Sequence, residues 1–110
     1  MDRTSIEPVK RAKEYIANLK SQIRVDRAIL FGSCARENRI KEHGDIDIIV
    51  LSSDFKDMDF MKRLVLLSQA RGRKFMSPAM DILGYTPEEF EKLSKESIVL
   101  AEAKKEGIIL

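Results

Sequence analysis

Asp45 and Asp47 flank Ile46 at the head of the apolar run Ile48-Ile49-Val50-Leu51. Alternate side chains of an extended strand share a face, so these carboxylates project together from Cα atoms about 6.5 to 7 Å apart. Two such charges about 5 Å apart repel by about 3 kcal/mol at an effective dielectric near 20. A fold gains nothing from that repulsion, so the pair calls either for a proton on one acid or for a cation between them. Ligands that are all oxygen select hard ions, Mg²⁺ or Mn²⁺ rather than zinc. The alternative is that Asp45 is a turn residue after Gly44 and only Asp47 enters the strand.

Two further features could serve the same chemistry. Gly32 and Ser33 follow the run Arg27-Ala28-Ile29-Leu30-Phe31. A glycine at the end of a strand lets backbone approach a ligand closely, and the start of a following helix offers unpaired N–H groups suited to a phosphate. Ser33 adds a hydroxyl, and Arg36, one turn on, could grip a phosphate oxygen. The same residues also suit a plain strand-to-helix turn with a capping serine and a solvated arginine. Asp81 lies between Met80 and Ile82-Leu83 in a third strand-like run. A lone acid there is costly unless it is paired, metal-bound or at a sheet edge. If its strand neighbours that of Asp47, all three acids could hold two divalent ions, the arrangement that clamps attacking and leaving oxygens in phosphoryl displacement. The alternative is an edge-strand acid facing water.

The elements that must position these residues are legible from periodicity and punctuation. Val9, Ala12, Ile16, Leu19 and Ile23 predict an amphipathic helix over about 5–22, with Pro8 in its first turn. A strand over 27–31 stops at Gly32, and Ser33 caps a short helix to about Arg39. His43-Gly44 makes a turn before the strand of Asp45–Leu51. Residues 57–69 read as a second long helix whose apolar face includes Phe60, Met61, Leu64, Val65 and Leu67, stopped near Gly72. Met76–Tyr85 should hold the third strand. Thr86-Pro87-Glu88-Glu89 is a capping box that opens a helix to about Leu93. Another helix over about 96–105 stops at Gly107, before a terminal strand. The order αβαβαβα(α)β is an α/β or α+β sandwich, a small sheet packed against helices.

Gly32-Ser33-Cys34-Ala35-Arg36, an eight-residue spacer, Asp45-Ile46-Asp47-Ile48, and then Asp81 before the Thr-Pro-Glu-Glu helix start resemble the minimal nucleotidyltransferases of the polymerase-beta-like superfamily. The resemblance covers essentially the whole chain. It implies a mixed sheet with flanking helices, a bound nucleoside triphosphate and two Mg²⁺ ions (Mn²⁺ in their place being compatible). An acceptor hydroxyl would attack the α-phosphorus and pyrophosphate would leave. Position by position, it implies Gly32 and Ser33 on the β/γ-phosphates, Arg36 beside them, and Asp45, Asp47 and Asp81 as metal ligands. Asp81 would also act as general base. Two positions depart from the pattern: Glu37 where glycine often follows the arginine, and Gly44 where serine often precedes the first aspartate. Many minimal nucleotidyltransferases pair with a small helical HEPN protein as toxin and antitoxin. The resemblance therefore implies an antitoxin that transfers AMP from ATP to a tyrosine of its partner.

Composition bounds the remaining choices. The 110 residues predict a single domain over 1–110, so the acceptor half of the pocket must come from another molecule. Twenty basic against 18 acidic residues leave +2, which argues against a nucleic-acid binder held by bulk charge. The longest apolar runs, Ile48–Leu51 and Leu64–Leu67, have four residues each, too few for a membrane span or secretory core, so a cytoplasmic location is expected. Cys34 is the single cysteine, expected to be buried as a small apolar residue. Between Lys62 and Lys74 stand five basic and no acidic residues, a candidate docking face. Two other readings remain open: a non-catalytic module that neutralises its partner by covering it, with Met58, Phe60 and Met61 as a sticky patch, and small-molecule adenylylation with a homodimer supplying the missing wall.

Overall fold

The computed structural model describes residues 7–37, 45–75 and 79–110. Among them run α1 (Pro8–Leu19), β1 (Arg27–Phe31), α2 (Ser33–Glu37), β2 (Ile46–Leu51), a 3₁₀ turn (Ser53–Phe55), α3 (Phe60–Arg71), β3 (Met80–Tyr85), α4 (Pro87–Leu93), α5 (Ile98–Glu106) and β4 (Ile108–Ile109). The expected order is present, with the 3₁₀ turn added. The turn at His43-Gly44, the second helix beyond residue 37 and the start of the third strand at Met76 lie outside the described residues.

The four strands form one mixed sheet in the order β3-β2-β1-β4. β1 is antiparallel to β2 and to β4, while β2 and β3 run parallel. β2 is covered on both faces, which explains its unbroken apolar sequence. Ile46, Ile48 and Val50 join Ala28 and Leu30 in a core with Ala12, Tyr15, Ile16 and Leu19 of α1 and Leu67 and Ala70 of α3. Ile29, Ile49 and Leu51 pack on the other face against Phe90, Leu100 and Ala103 from α4 and α5.

Local chemistry sets the helix ends. Pro8 occupies the first turn of α1, where a missing N–H is harmless. The Asp59 carboxylate accepts from the Lys62 N–H at 2.8 Å and caps α3, which begins at Phe60, three residues later than position 57. Gly72 at φ +55° ends that helix, its N–H donating to the Ser68 carbonyl at 3.3 Å. The capping box of α4 is present in both directions, Glu89 N–H to Thr86 Oγ1 at 3.1 Å and Thr86 N–H to Glu89 Oε1 at 2.7 Å. Ser97 rather than Glu96 opens α5, its hydroxyl accepting from the Leu100 N–H.

α3 departs from expectation in the face it buries. Phe60, Met61 and Val65 are exposed, whereas Arg63, Leu67 and Ala70 are buried. Arg63 is satisfied at every turn. Its guanidinium grips both oxygens of Glu89 at 2.6 and 3.1 Å and donates to the carbonyls of Phe55, Met58 and Gly84. A buried charge is tolerable only when paired and hydrogen-bonded in this way. One of the five cations in the basic stretch is therefore structural. α1 is bound to α3 by the Tyr15 hydroxyl, which donates to the Leu67 carbonyl at 2.8 Å, and by the Asn18 amide, which donates to that of Ala70 at 2.8 Å.

Candidate active site

The register of the sheet decides which acids meet. Asp47 pairs with Phe31 of β1 on one side and with Asp81 of β3 on the other. Asp47 and Asp81 thus stand side by side on neighbouring strands, about 4.8 Å apart along the sheet. Asp45 precedes β2 by one residue, and its carboxyl lies within hydrogen-bonding reach of Asp81. The paired-strand reading of Asp45 is thus corrected by one residue, and the convergence of the acids does not depend on it. Asp47 shares the strand face of Ile49 and Leu51, toward α4 and α5.

Gly32 closes the site from β1. Its φ is +79°, a backbone conformation that side-chain-bearing residues rarely adopt. A β-carbon there would lie 2.5 Å from Oδ2 of Asp47, so the missing side chain is what lets the Asp47 carboxylate occupy the corner. Ser33 is the first residue of α2 rather than a cap before it. Cys34 is buried, as expected, and its thiol donates to the Asp45 carbonyl at 3.0 Å. That contact ties α2 to the first acid; nothing in the sequence beyond the burial of a lone cysteine signals it.

The electrostatics of the site follow from this crowding. Asp47, half-buried, has its pKa pushed up to about 6, first by burial and then by the charges of Asp81 and Asp45. Asp81 is also raised, by partial burial of its carboxyl and then by the hydrogen bond and repulsion from Asp45, although the residue as a whole is exposed. The Arg71 guanidinium at the end of α3 opposes that shift. The sequence marks Arg71 as part of the basic stretch read as a candidate docking face; its influence on Asp81 depends on β3 returning beside α3.

Arg36 does not point freely toward the glycine corner. Its Nη1 lies 3.8 Å from Oε1 of Glu102 on α5, and both side chains are more than half exposed. Between α2 and α5 a cavity of about 140 Å³ is bounded by Phe31, Gly32, Ala35, Val99, Glu102 and Glu106.

The residues present suit hard divalent ions. Every donor is a carboxylate oxygen, the acids repel one another, and the glycine at position 32 makes room for the Asp47 carboxylate. Among the described residues, no group of three or more His, Cys, Asp or Glu side chains is already gathered at ligating distance. The carboxylates are thus neighbours rather than a closed cage. Among the same residues no helix is long and apolar enough to cross a membrane.

The profile of the family described as "Polymerase beta, Nucleotidyltransferase" matches residues 13–106, and the chain belongs to that family. A crystal structure from Sulfolobus solfataricus, described as a "putative nucleotidyltransferase", superposes with a TM-score of 0.63 at 22% identity, covering 92% of this chain and 77% of that one. This likeness supports the polymerase-beta-like nucleotidyltransferase fold for the four-stranded mixed sheet and its helices. Among curated proteins no sequence matches the chain. Members of the family generally use a nucleoside triphosphate and divalent metal ions.

Proposed function

We propose that this chain is a divalent-cation-dependent nucleotidyltransferase that moves a nucleoside monophosphate, AMP from ATP, onto a hydroxyl acceptor. The observation that carries this reading is the adjacency of Asp47, Asp81 and Asp45 beside the backbone corner at Gly32. Asp45, Asp47 and Asp81 would hold two Mg²⁺ ions, which when bound neutralise triphosphate charge and acidify the acceptor hydroxyl. Gly32 lets the β/γ-phosphates approach the backbone, the Ser33 hydroxyl donates to a phosphate oxygen, and Arg36 supplies a cation. Asp81 takes the proton from the acceptor hydroxyl. The acceptor oxygen then bonds to the α-phosphorus as the bond from α-phosphorus to the bridging oxygen breaks, and pyrophosphate departs.

The acceptor we propose is a tyrosine on a small helical HEPN-type partner, so that the chain acts in the cytoplasm as an antitoxin. A partner of this kind would supply the acceptor half of the pocket. The exposed Phe60, Met61 and Val65 on α3 favour a second reading, a face that neutralises the partner by binding alone. One assay separates the two. Purified chain, Mg²⁺, α-labelled ATP and the product of the neighbouring gene are mixed, then the mixture is repeated with Asp47→Ala. Label on the partner that disappears in the variant supports transfer. Neutralisation without label, unchanged in the variant, refutes transfer and supports the binding module.

A further inference from the structure

In the proposed reaction Arg36 belongs on a phosphate oxygen, yet its guanidinium lies against α5. The pair it makes there is long, at 3.8 Å, and exposed on both sides, 56% for Arg36 and 54% for Glu102. Such pairs add little to stability. What the contact does is aim the cation. Arg36 and Glu102 both line the cavity between α2 and α5, whose remaining wall includes the apolar side chains of Phe31, Ala35 and Val99. Glu106, one turn beyond Glu102 on the same helix face, places a second carboxylate at its rim. Gly32 lines the same cavity as Arg36 and Glu102, so a polyphosphate on the glycine–serine corner and the Glu102 carboxylate draw on one guanidinium.

We propose that Glu102 is a positioning residue that sets nucleotide affinity by competing with the polyphosphate for Arg36. The inference rests on the nucleotidyltransferase reading of the Gly32–Ser33 corner. In the free protein Glu102 holds Arg36 beside the cavity; an incoming triphosphate takes the guanidinium over, and the carboxylate is released to water. After transfer, Glu102 recaptures Arg36 and so helps pyrophosphate leave. The pair weakens binding of any polyphosphate, irrespective of the base it carries, because the contest is for the phosphate-binding cation alone.

The test uses the full chain with Mg²⁺ and four forms: unmodified, Glu102→Gln, Arg36→Gln and the double variant. Glu102→Gln changes an exposed side chain, and its melting temperature verifies that it folds. Dissociation constants are measured for Mg-ATP and for Mg-tripolyphosphate, together with KM and kcat. Glu102→Gln is expected to tighten both ligands by roughly two- to fivefold, the coupling range of an exposed ion pair. KM falls in step while kcat holds or drops, as slower pyrophosphate release would produce. In the Arg36→Gln background the same change should have little effect. The proposal is overturned if Glu102→Gln leaves both dissociation constants unchanged or weakens them. It is equally overturned if the gain persists without Arg36, because Glu102 would then act by general repulsion. Binding of neither Mg-ATP nor Mg-tripolyphosphate to the unmodified chain would overturn the nucleotide reading itself. A site that binds both with Glu102→Gln silent would leave that reading intact.

Discussion

Asp47→Asn should make the metal-free protein more stable while ending its activity. The carboxyl of Asp47 titrates near 6 in the folded chain against 3.8 for an ordinary aspartate, raised by burial and by Asp81 and Asp45. Two pH units correspond to about 3 kcal/mol for a dry site. Asp47 is only half-buried, so solvent screening reduces this to about 1 kcal/mol. The sign follows from proton linkage: the folded state binds the proton more tightly than the unfolded state. Unmodified protein is therefore penalised as pH rises from about 4 through 6, and the penalty is complete above that range. Asparagine has the same shape and never ionises. In EDTA at pH 8 the variant should melt about 4 to 8 °C higher, the shift expected of 1 kcal/mol in a domain of this size. At pH 4 the two melting curves should coincide. Adding Mn²⁺ at pH 8 should raise the melting temperature of the unmodified protein and leave Asp47→Asn where it was. A variant that is less stable at pH 8, or a difference that survives acidification, would refute the account of the site as crowded carboxylates awaiting a cation.

Two further substitutions probe the frame around those acids. Gly32→Ala combines a left-handed backbone at φ +79° with a β-carbon 2.5 Å from Asp47 Oδ2. It should cost about 1 to 2 kcal/mol of stability and, by displacing the carboxylate, about a hundredfold in nucleotidyl transfer, read by differential scanning and by labelled-nucleotide assay. Arg63→Ala strips the guanidinium from Glu89 and from three backbone carbonyls, and urea titration should show a loss of about 3 kcal/mol. Glu89→Gln keeps hydrogen-bonding atoms but leaves the buried Arg63 cation without its counter-ion, and should lose about 2 to 3 kcal/mol.

What the sequence made legible was local. The strand 27–31, the Thr86–Glu89 capping box and the stop at Gly72 each depend on residues within a turn of one another, and the structure places them where they were expected. The face of α3 was not legible. Phe60, Met61 and Val65 promise a core stripe, but the helix is rotated so that Arg63 faces inward. A buried arginine becomes favourable only through Glu89, 26 residues away, and through carbonyls that the 3₁₀ turn and β3 bring to it. Periodicity carries no record of such a partner. The site divides in the same way. Gly32, Asp45, Asp47 and Asp81 could be selected by type and spacing, whereas the Cys34 tether, the influence of Arg71 and the diversion of Arg36 to Glu102 depend on chain segments that meet only after folding.

The mixed direction of the sheet is what makes a single site from these scattered residues. Because β1 runs antiparallel to β2, the C-terminal end of the first strand, where Gly32 sits, meets the N-terminal end of the second, where the first acids sit. Because β3 runs parallel to β2, its own N-terminal end delivers Asp81 to the same edge. β2 is held from both faces, by Ile46, Ile48 and Val50 on one and Ile49 and Leu51 on the other, so Asp47 stands on a rigid element. The arrangement leaves no tolerance in register. A one-residue slip of β3 would turn Asp81 to the face that Met80 now occupies, among the apolar residues under α1 and α3, and put Met80 beside Asp47. The penalty of burying that carboxylate opposes the slip, and so the acid that the proposed chemistry requires also helps fix the strand that carries it.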